Sequence, residues 1–429
     1  MEISKPIKEN TYAIYGLGLS GKSVHKFLKK RKVKTIYTWD DKNNSQNKKK
    51  LNFFHNALNR VDYIVVSPGI NIKATRFKTI LYKNRKKIIT DLDLFYMQNL
   101  SVKSIVVTGT NGKSTTCQLM QHVLRSNKID AQLGGNIGKP VLDLKIKKKS
   151  IVIIEASSFQ LFYAKFIKPT FAAILNITKD HLDWHGTIEN YKNSKFNIFL
   201  KQDNQDYALL NNQDLIKQFR KKNFLSKLKN IQGDISEKLL KKDIQNKYLL
   251  SGPNLENVSF AYKLSTILNI KKNIILKAFN TFKGLPHRNE IFFRKQGITF
   301  INDSKATSFE ASQHVLKNNK NIFWIVGGLP KLGDKFNLKS LRKNIIKSYI
   351  IGKSINYFKK QIGKSIECKI SFNLKKALED IFKDLQLHRK VKSIVLLSPA
   401  SASYDQFNNF IERGNQFKKL TLKYARQLS

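Results

Sequence analysis

The segment from Thr108 to Thr116 holds the residues of this chain that are best suited to binding a phosphate. The β-branched apolar run Ser104–Val107 precedes it, and apolar residues at helical spacing follow it. Glycines in such a turn let backbone N–H groups face an anion, and the first turn of the helix attracts negative charge. Lys113 can reach the outer phosphates of a nucleoside triphosphate, while the hydroxyl of Ser114 or Thr115 can ligate Mg²⁺. The segment therefore predicts a nucleotide-binding loop.

The spacing of this loop departs from the usual phosphate loop. The usual pattern places four residues between the first glycine and the Gly-Lys pair. Here Gly109 and Gly112 enclose only two residues, Thr110 and Asn111. A chance match within an ordinary loop is the alternative, but the strand before it and the helix after it favour phosphate binding.

Two further polar clusters follow apolar, strand-like runs. Glu155 comes directly after Ile151–Ile154, where a carboxylate can hold Mg²⁺ beside a phosphate loop or cap a helix. The run Asp180–His185 contains two aspartates and two histidines. It is compatible with a weak zinc motif, with a loop in which His181 ligates a second Mg²⁺, or with a polar surface loop.

Four clusters mark strand ends in the last third of the chain. Arg288 has a planar fork that matches phosphate oxygens. The other three clusters are Asn302–Thr307, Gly327–Gly328 with Lys331 nearby, and Ser398–Phe407. Because ligands bind at the carboxyl ends of parallel strands, we expect these clusters to form a site.

The elements that position these residues follow an α/β pattern throughout. Near-continuous apolar strands alternate with helical patterns, which predicts parallel sheets covered on both faces. Gly16–Gly21 forms a GxGxxG turn after a strand, and Asp40 ends the next strand. This arrangement is typical of a dinucleotide site, with a tight strand-to-helix turn as the alternative. The lysine-rich stretch from about 217 to 247 is less periodic and predicts a peripheral hairpin or loop.

Length and composition set the broad class. With 429 residues, 41% of them apolar, the chain can build two or three cores. Two cysteines indicate a reducing cytoplasm and no disulfide framework. We expect neither a signal peptide nor a membrane-spanning helix. The formal charge of +49 would suit a nucleic-acid binder, yet lysines occur in almost every segment, which favours a compositional bias over a dedicated site.

Taken together, the motifs resemble those of the Mur ligases, ATP-dependent enzymes that form the amide bonds of the peptidoglycan stem peptide. The resemblance covers essentially the whole chain in order, and this family uses the shortened phosphate loop. It rests on Thr108–Thr115, Glu155–Gln160, Asp180–Asp183, His287–Arg288 and Asn302–Thr307. Similarity is greatest to members that add D-glutamate to UDP-N-acetylmuramoyl-L-alanine, through Gly16–Gly21, Ser67–Ile70, Gly134–Gly138 and Ser398–Phe407.

The resemblance implies three domains and a cytoplasmic monomer. A Rossmann-like domain (1–91) would hold the UDP substrate rather than a dinucleotide. A central P-loop ATPase-like domain with a parallel sheet (92–284) would hold ATP, and a C-terminal Rossmann-like domain (285–429) would hold the amino acid.

The resemblance also implies roles for individual residues. ATP would be held by Gly109, Thr110, Asn111, Gly112, Lys113, Ser114, Thr115, Arg288 and Asp303. Two Mg²⁺ ions would be held by Ser114, Glu155, His181 and a carbamate formed on Lys195. The substrates would contact Gly18, Ser20, Asp40, Ser67, Gly69, Asn136, Ser157, Thr307, Lys331, Ser403 and Phe410. The catalytic residues would be Lys113, His181, Lys195 and Lys305.

Two positions depart from the family pattern: Trp184 stands where many relatives have arginine, and Lys331 lies in an altered loop. Other activities remain open as alternatives. They are another Mur-type or folylpolyglutamate-type amide ligase and, from a different class, a basic nucleic-acid-dependent NTPase.

Overall fold

The structure is a computed structural model that describes residues 5–44, 47–231, 242–250, 252–331, 333–363, 365–387 and 392–426. The chain divides into two compact units, Met1–Lys283 and Gly284–Ser429. All three sheets of the described residues are parallel, apart from one antiparallel edge pair in the second unit. This confirms the predicted α/β class. The three domain boundaries themselves remain predictions.

The first sheet has the order β2-β1-β3-β4. Its strands are β1 (Tyr12–Tyr15), β2 (Ile36–Trp39), β3 (Tyr63–Val66) and β4 (Ile88–Ile89). The helices around it are α1 (Leu19–Lys30), α2 (Asp41–Asn44), α3 (Lys48–Arg60) and α4 (Lys78–Lys83). Successive side chains of β1 and β3 enter two different hydrophobic clusters, because neighbouring residues of a strand face opposite sides of the sheet.

The second sheet also lies in the first unit and has the order β10-β9-β8-β5-β7-β6. Its strands are β5 (Ser104–Thr108), β6 (Ala131–Gly135), β7 (Ile151–Glu155), β8 (Phe171–Ile174), β9 (Tyr207–Leu210) and β10 (Lys227–Asn230). Strands β5, β7 and β8 are buried along their whole length, as their continuous apolar sequences predict. Their carboxyl ends, at Thr108, Glu155 and Ile174, lead into three of the predicted site segments.

The first helix of this part is α5 (Asp91–Gln98). Its N-terminus is stabilised by a capping box between Thr90 and Asp93. The others are α6 (Lys113–Ser126), α7 (Ser158–Tyr163), α8 (Leu182–His185), α9 (Ile188–Phe196), α10 (Gln213–Lys221), α11 (Gly252–Ile267) and α12 (Lys272–Thr281).

The prediction of a hairpin or loop from about 217 to 247 is wrong for the described part of that stretch. Helix α10 extends into it, and β10 pairs in parallel with β9 at the edge of the sheet. Among the described residues, β10 pairs along one edge only. Its sequence Lys-Leu-Lys-Asn keeps Lys227 exposed and Lys229 partly exposed, so it lacks the apolar run of a central strand. Residues 232–241 lie outside the described residues.

The second unit has one sheet of order β11-β12-β16-β13-β14-β15. Its strands are β11 (Glu290–Lys295), β12 (Ile298–Asn302), β13 (Ile322–Gly327), β14 (Ile345–Ile351), β15 (Cys368–Phe372) and β16 (Ser393–Leu397). Its helices are α13 (Phe309–Lys317), α14 (Ile355–Ile362), α15 (Leu374–Leu387) and α16 (Phe410–Ala425). Hydrophobic clusters cover both faces, as in a doubly wound sheet.

Both cysteines are free thiols, as expected for a chain without a disulfide framework. Among the helices that the structure describes, none combines the length and apolarity required to cross a bilayer.

Candidate functional site

The predicted phosphate loop connects β5 to α6. Gly112 is the N-cap of α6 and has φ +82°, which favours glycine. A Cβ atom at this position would lie 2.1 Å from Oδ1 of Asn257 on α11. The backbone N–H groups of Thr110 and Asn111 donate to the carbonyl and side-chain oxygens of Asn176, at 2.8 and 2.9 Å. The segment after β8 therefore holds the loop in place.

Lys113 curls back over this loop. Its Nζ donates to the carbonyl oxygens of Gly109 and Thr110, both at 2.8 Å. The ammonium thus sits at the N-terminus of α6, where two sources of positive potential add. This is the arrangement that binds the outer phosphates of a nucleotide.

The structure separates the two hydroxyls that the sequence offers as Mg²⁺ ligands. Ser114 Oγ donates to Glu155 Oε2 at 2.7 Å. Thr115, by contrast, is 1% exposed, and its buried hydroxyl has no hydrogen-bond partner among the residues that the structure describes. Ser114 is therefore the hydroxyl that the fold brings to the carboxylate.

Glu155 is a buried carboxylate at the end of β7, and Asn136 holds it from the side. Asn136 Nδ2 donates to Glu155 Oε1 at 2.8 Å, and its backbone N–H donates to the Glu155 carbonyl at the same distance. A Cβ atom at Gly135 would lie 2.4 Å from that carbonyl, so only glycine fits before Asn136. The alternative of Glu155 as a helix cap is wrong, because Ser157 is the N-cap of α7 and bonds the N–H of Gln160.

The chemistry of these groups suits a magnesium ion. A serine hydroxyl and a carboxylate are hard oxygen ligands, and Mg²⁺ is usually bound by one or two protein groups together with substrate phosphates. No cluster of three or more His, Cys, Asp or Glu side chains with metal-binding geometry occurs among the described residues. A site completed by phosphates needs no such cluster.

The two histidines of the Asp180–His185 segment lie in different surroundings. His181 has φ +52°, is exposed, and contacts the Phe159 ring at 4.8 Å between centroids. His185 is 1% exposed, and its Nε2 lies 3.0 Å from Ser158 Oγ. Partial desolvation by its neighbours lowers the pKa of His181, and burial lowers the pKa of His185 to about 4. Both rings are therefore neutral at neutral pH.

Lys195 is a buried lysine beside the phosphate loop. It is 1% exposed, and its Nζ donates to the Gly109 carbonyl at 2.9 Å and lies 4.4 Å from the centroid of the Tyr191 ring. Burial, together with the nearby Lys113 cation, places the pKa of Lys195 well below its ordinary value. The fold therefore favours the neutral amine more than it does at an exposed lysine.

The turn after β1 forms a second anion-binding candidate. A Cβ atom at Gly21 would lie 1.8 Å from the Gly16 carbonyl, so glycine is required there, whereas the space beside Gly18 and Gly69 is open. Asp40 Oδ2 accepts the Leu17 N–H at 2.6 Å and shapes the turn. Ser67 Oγ donates to the Gly16 carbonyl at 2.8 Å, and Ser20 lies in the first turn of α1. The predicted site residues of the first unit thus lie in two regions, one at the ends of β5 and β7 and the other at the end of β1.

The clusters of the second unit meet at the carboxyl edge of its sheet. Lys305 N–H donates to the His287 carbonyl at 2.9 Å, which joins the Arg288 segment to the segment after β12. Lys305 Nζ lies 5.6 Å from the centroid of the Phe410 ring. The segment after β13, which leads to Lys331, pairs with the segment after β16, because Leu329 and Ala402 exchange backbone hydrogen bonds at 2.9 Å. Thr307 and Ser403 belong to the same two strand-end segments as Lys305 and Ala402.

Asp303 is a buried carboxyl in this region. It accepts hydrogen bonds from Ser398 Oγ at 2.7 Å and from the Asn289 N–H at 3.0 Å. Burial raises the pKa of Asp303 to about 7. The group therefore titrates near neutrality, beside the half-buried Arg288.

This pKa predicts a pH-dependent effect of Asp303→Asn on stability. The pKa of this carboxyl is 3.8 in the unfolded chain and about 7 in the folded chain. Between these two pH values the folded chain holds a proton that the unfolded chain has lost, so the free energy of unfolding falls as pH rises. Asp303→Asn has no carboxyl at this position, so its free energy of unfolding does not fall with pH for this reason. We expect its melting temperature, relative to the parent, to increase from about pH 5 to pH 8. Thermal scans across this range, with the exposed Glu310→Gln on α13 as control, measure the effect; a pH-independent difference would contradict it.

Arg413 is a site residue that the sequence analysis missed. It is 1% exposed, its Nε donates to Ser304 Oγ at 3.0 Å, and its Nη2 donates to the carbonyls of Ser304 and Ser401 at 2.9 Å. It therefore ties together the segments that carry Lys305 and Ser403. Arg413 lies three residues after Phe410, about one helical turn, so the two side chains share a face of the helix. This spacing is the signal from which the sequence could have indicated Arg413.

A glycine turn, a lysine and a hydroxyl–carboxylate pair at the carboxyl edge of a parallel sheet define a nucleotide-binding α/β protein with a phosphate loop. The family model of the Mur ligase middle domain matches residues 107–274, which include this loop. The UDP-N-acetylmuramoylalanine--D-glutamate ligase of Rickettsia felis is 33% identical over 442 residues, which cover 97% of this chain and 98% of that protein. The ligase of the same name from Rickettsia bellii is 34% identical over 443 residues, covering 96% and 97%. The chain belongs to the Mur ligase family.

The fold agrees with this assignment. The UDP-N-acetylmuramate-alanine ligase of Thermotoga maritima superposes with a TM-score of 0.57 at 15% identity, covering 97% of this chain and 100% of that one. The family model and the two relatives confirm the similarity to the Mur ligases that the motifs indicated.

Proposed function

We propose that this protein joins D-glutamate to UDP-N-acetylmuramoyl-L-alanine and converts ATP to ADP and phosphate. The observation that carries the proposal is the match, over nearly the full length of both chains, to ligases named for this reaction. The geometry of the phosphate loop supports the use of ATP. We place the reaction in the cytoplasm, and the expectation of a monomer stays a prediction.

In the first step, the carboxylate of the UDP substrate attacks the γ-phosphorus of ATP, and ADP leaves. Negative charge spreads over the transferred phosphoryl oxygens, so fixed positive groups provide most of the catalysis. Lys113 and the loop N–H groups at the start of α6 are the groups assigned to that task. The product is an acyl-phosphate, which is electrophilic enough for an amine to attack.

Ser114 and Glu155 are the residues that would hold Mg²⁺ when nucleotide binds, with His181 and modified Lys195 assigned to a second ion. A bound magnesium ion would neutralise phosphate charge. An unmodified Lys195 is unsuited to a metal because its amine donates a hydrogen bond and carries a positive charge when protonated. A carbamate on the same nitrogen would supply anionic oxygens instead.

We predict that Lys195 forms a carbamate with carbon dioxide. The neutral amine attacks CO₂, a C–N bond forms and one proton is released, and the lowered pKa of this lysine supplies the neutral amine. In ¹³C-bicarbonate, the parent should give a carbamate ¹³C resonance that Lys195→Ala lacks. Lys192→Ala, on the same helix, should retain it. A resonance that persists in the Lys195 variant would contradict the assignment.

In the second step, the amine of D-glutamate attacks the acyl carbon, and phosphate leaves from a tetrahedral intermediate. Lys305, Thr307, Lys331, Ser403 and Phe410 are assigned to D-glutamate, and Arg288 and Asp303 to the nucleotide. The contacts of Lys305 with the His287 carbonyl and the Phe410 ring support a shared site in the second unit.

The test is ADP release with UDP-N-acetylmuramoyl-L-alanine as acceptor. We expect release that depends on D-glutamate and is at least about tenfold faster than with L-glutamate. A screen of other amino acids and acceptors identifies another Mur-type or folylpolyglutamate-type ligase if one of them is preferred. ADP release that requires DNA or RNA instead would indicate a nucleic-acid-dependent NTPase.

A further inference from the structure

A cavity of about 470 Å³ lies in the first unit, and Trp184 and His185 of the Asp180–His185 segment form part of its lining. It is enclosed by α4 and β4 on one side and by the end of α7 and α8 on the other. Pockets that bind small molecules have volumes of about 300–1,000 Å³. None of the residues assigned above to ATP, the metal or the substrates lines it. It is therefore a second place where a small molecule can fit.

The inner wall of the cavity is aromatic. Phe162, Tyr163 and Trp184 line it, together with Ile72 and Ile88. Phe162 packs edge-on against Trp184 with 5.1 Å between ring centroids, and Tyr163 lies 5.8 Å from the same ring. Rings that are held by one another in this way form a fixed apolar surface, which suits a flat apolar body.

Two polar atoms on the lining side chains have no partner among the described residues. They are Nε1 of Trp184 and Nδ1 of His185, both shielded from solvent. The other nitrogen of His185 is already bonded to Ser158. An indole N–H can only donate, so the atom that satisfies Trp184 must be an acceptor. Because both atoms are shielded from solvent, a molecule in the cavity reaches them only if the rings shift.

The rim of the cavity is cationic. It is lined by Lys73, Arg85, Lys86 and Lys165, and no aspartate or glutamate of the described part of the chain lines it. None of these four cations takes part in an ion pair recorded for the described residues. Lys165 Nζ donates to the carbonyls of Arg85 and Lys86, at 2.9 and 2.6 Å, and so stays at the rim. Cations grouped over an apolar wall attract an anion that carries an apolar body.

We propose that this cavity binds a small molecule with an aromatic body and a single anionic group. The aromatic body lies against Phe162, Tyr163 and Trp184. The carboxylate, sulfonate or phosphate group lies at the rim, among Arg85 and the lysines. The proposal does not depend on the ligase activity, since it concerns a separate cavity.

The test is direct binding of 8-anilinonaphthalene-1-sulfonate to the full-length chain, measured by calorimetry and probe fluorescence. We expect one saturable site, with affinity at least about tenfold above that of the uncharged N-phenyl-1-naphthylamine. Inorganic sulfate at the same concentration should not displace the probe. Equal affinity for the uncharged compound would overturn the proposal.

Two variants locate the site. Ala164→Phe fills the cavity, and Arg85→Ala with Lys86→Ala removes two rim cations; each should weaken binding by about tenfold. The matched control is Lys29→Ala with Lys30→Ala, which removes the same charge from the exposed end of α1. Circular dichroism verifies folding. If Ala164→Phe does not fold, the result for Arg85→Ala with Lys86→Ala decides the test.

Three further outcomes would contradict the proposal. The first is parental affinity in both folded variants, and the second is equal weakening in the control, which would indicate only the general charge of the chain. The third is displacement of the probe by UDP-N-acetylmuramoyl-L-alanine, which would make the cavity part of the substrate site. Because binding is measured without ATP or amino acid, none of these outcomes affects the proposed reaction.

Discussion

Replacing Lys113 by alanine should reduce D-glutamate-dependent ADP release by about 10³-fold or more. Removing one preorganised charge donor from a reaction centre costs about 10²–10³ in rate, and this lysine is also assigned to ATP binding. The loop should survive, because the Gly109 carbonyl keeps its hydrogen bond from Lys195 at 2.9 Å. We expect the free energy of unfolding to fall by no more than about 1 kcal/mol.

The measurement is coupled ADP release at saturating ATP, with and without D-glutamate, alongside a thermal melt. The control is Lys179→Ala, an exposed lysine two residues before His181 that removes the same charge close to the site. It should keep nearly parental activity. Parental turnover in Lys113→Ala, or an equal loss in the control, would refute the role assigned to Lys113.

The sequence was sufficient to predict the strand ends that carry the site. Strands such as β5 and β7 are continuous apolar runs because both of their faces are buried, and each is followed by a polar segment. The position of Ser114 at the start of a helix and of Glu155 at the end of a strand follows from that pattern. The glycines at 21 and 112 follow as well, since each occupies a place where a Cβ would collide.

Contacts between distant segments could not be predicted in the same way. Thr116 on α6 meets Asn257, 141 residues later, through a hydrogen bond of 3.2 Å, and local periodicity carries no information about such a pairing. The choice between Ser114 and Thr115 depends on the rotation of α6 against β7. The edge strand β10 was missed because an edge strand can keep its polar side chains exposed and so lacks an apolar run.

Arg413 is a further case of a distant contact, and its substitution is expected to have the second large effect. Burial lowers the pKa of Arg413 to about 10, so the guanidinium remains charged at neutral pH. Replacing it with methionine keeps much of the volume but leaves the carbonyls of Ser304 and Ser401 without this donor. The loss of such buried hydrogen bonds should lower the free energy of unfolding by about 2–3 kcal/mol.

The same substitution should raise the KM for D-glutamate by at least about tenfold, because Lys305 and Ser403 lie on the two segments that Arg413 joins. The KM for ATP should change much less. Initial rates with each substrate varied in turn separate this result from simple loss of folded protein, which would lower the maximal rate alone. Arg413→Lys keeps the charge but loses the planar guanidinium, so its KM for D-glutamate should lie between those of the parent and Arg413→Met. Lys419→Ala, an exposed position on the same helix, should behave as the parent. An unchanged KM for D-glutamate in folded Arg413→Met would show that Arg413 only stabilises the unit and does not position the substrate segments.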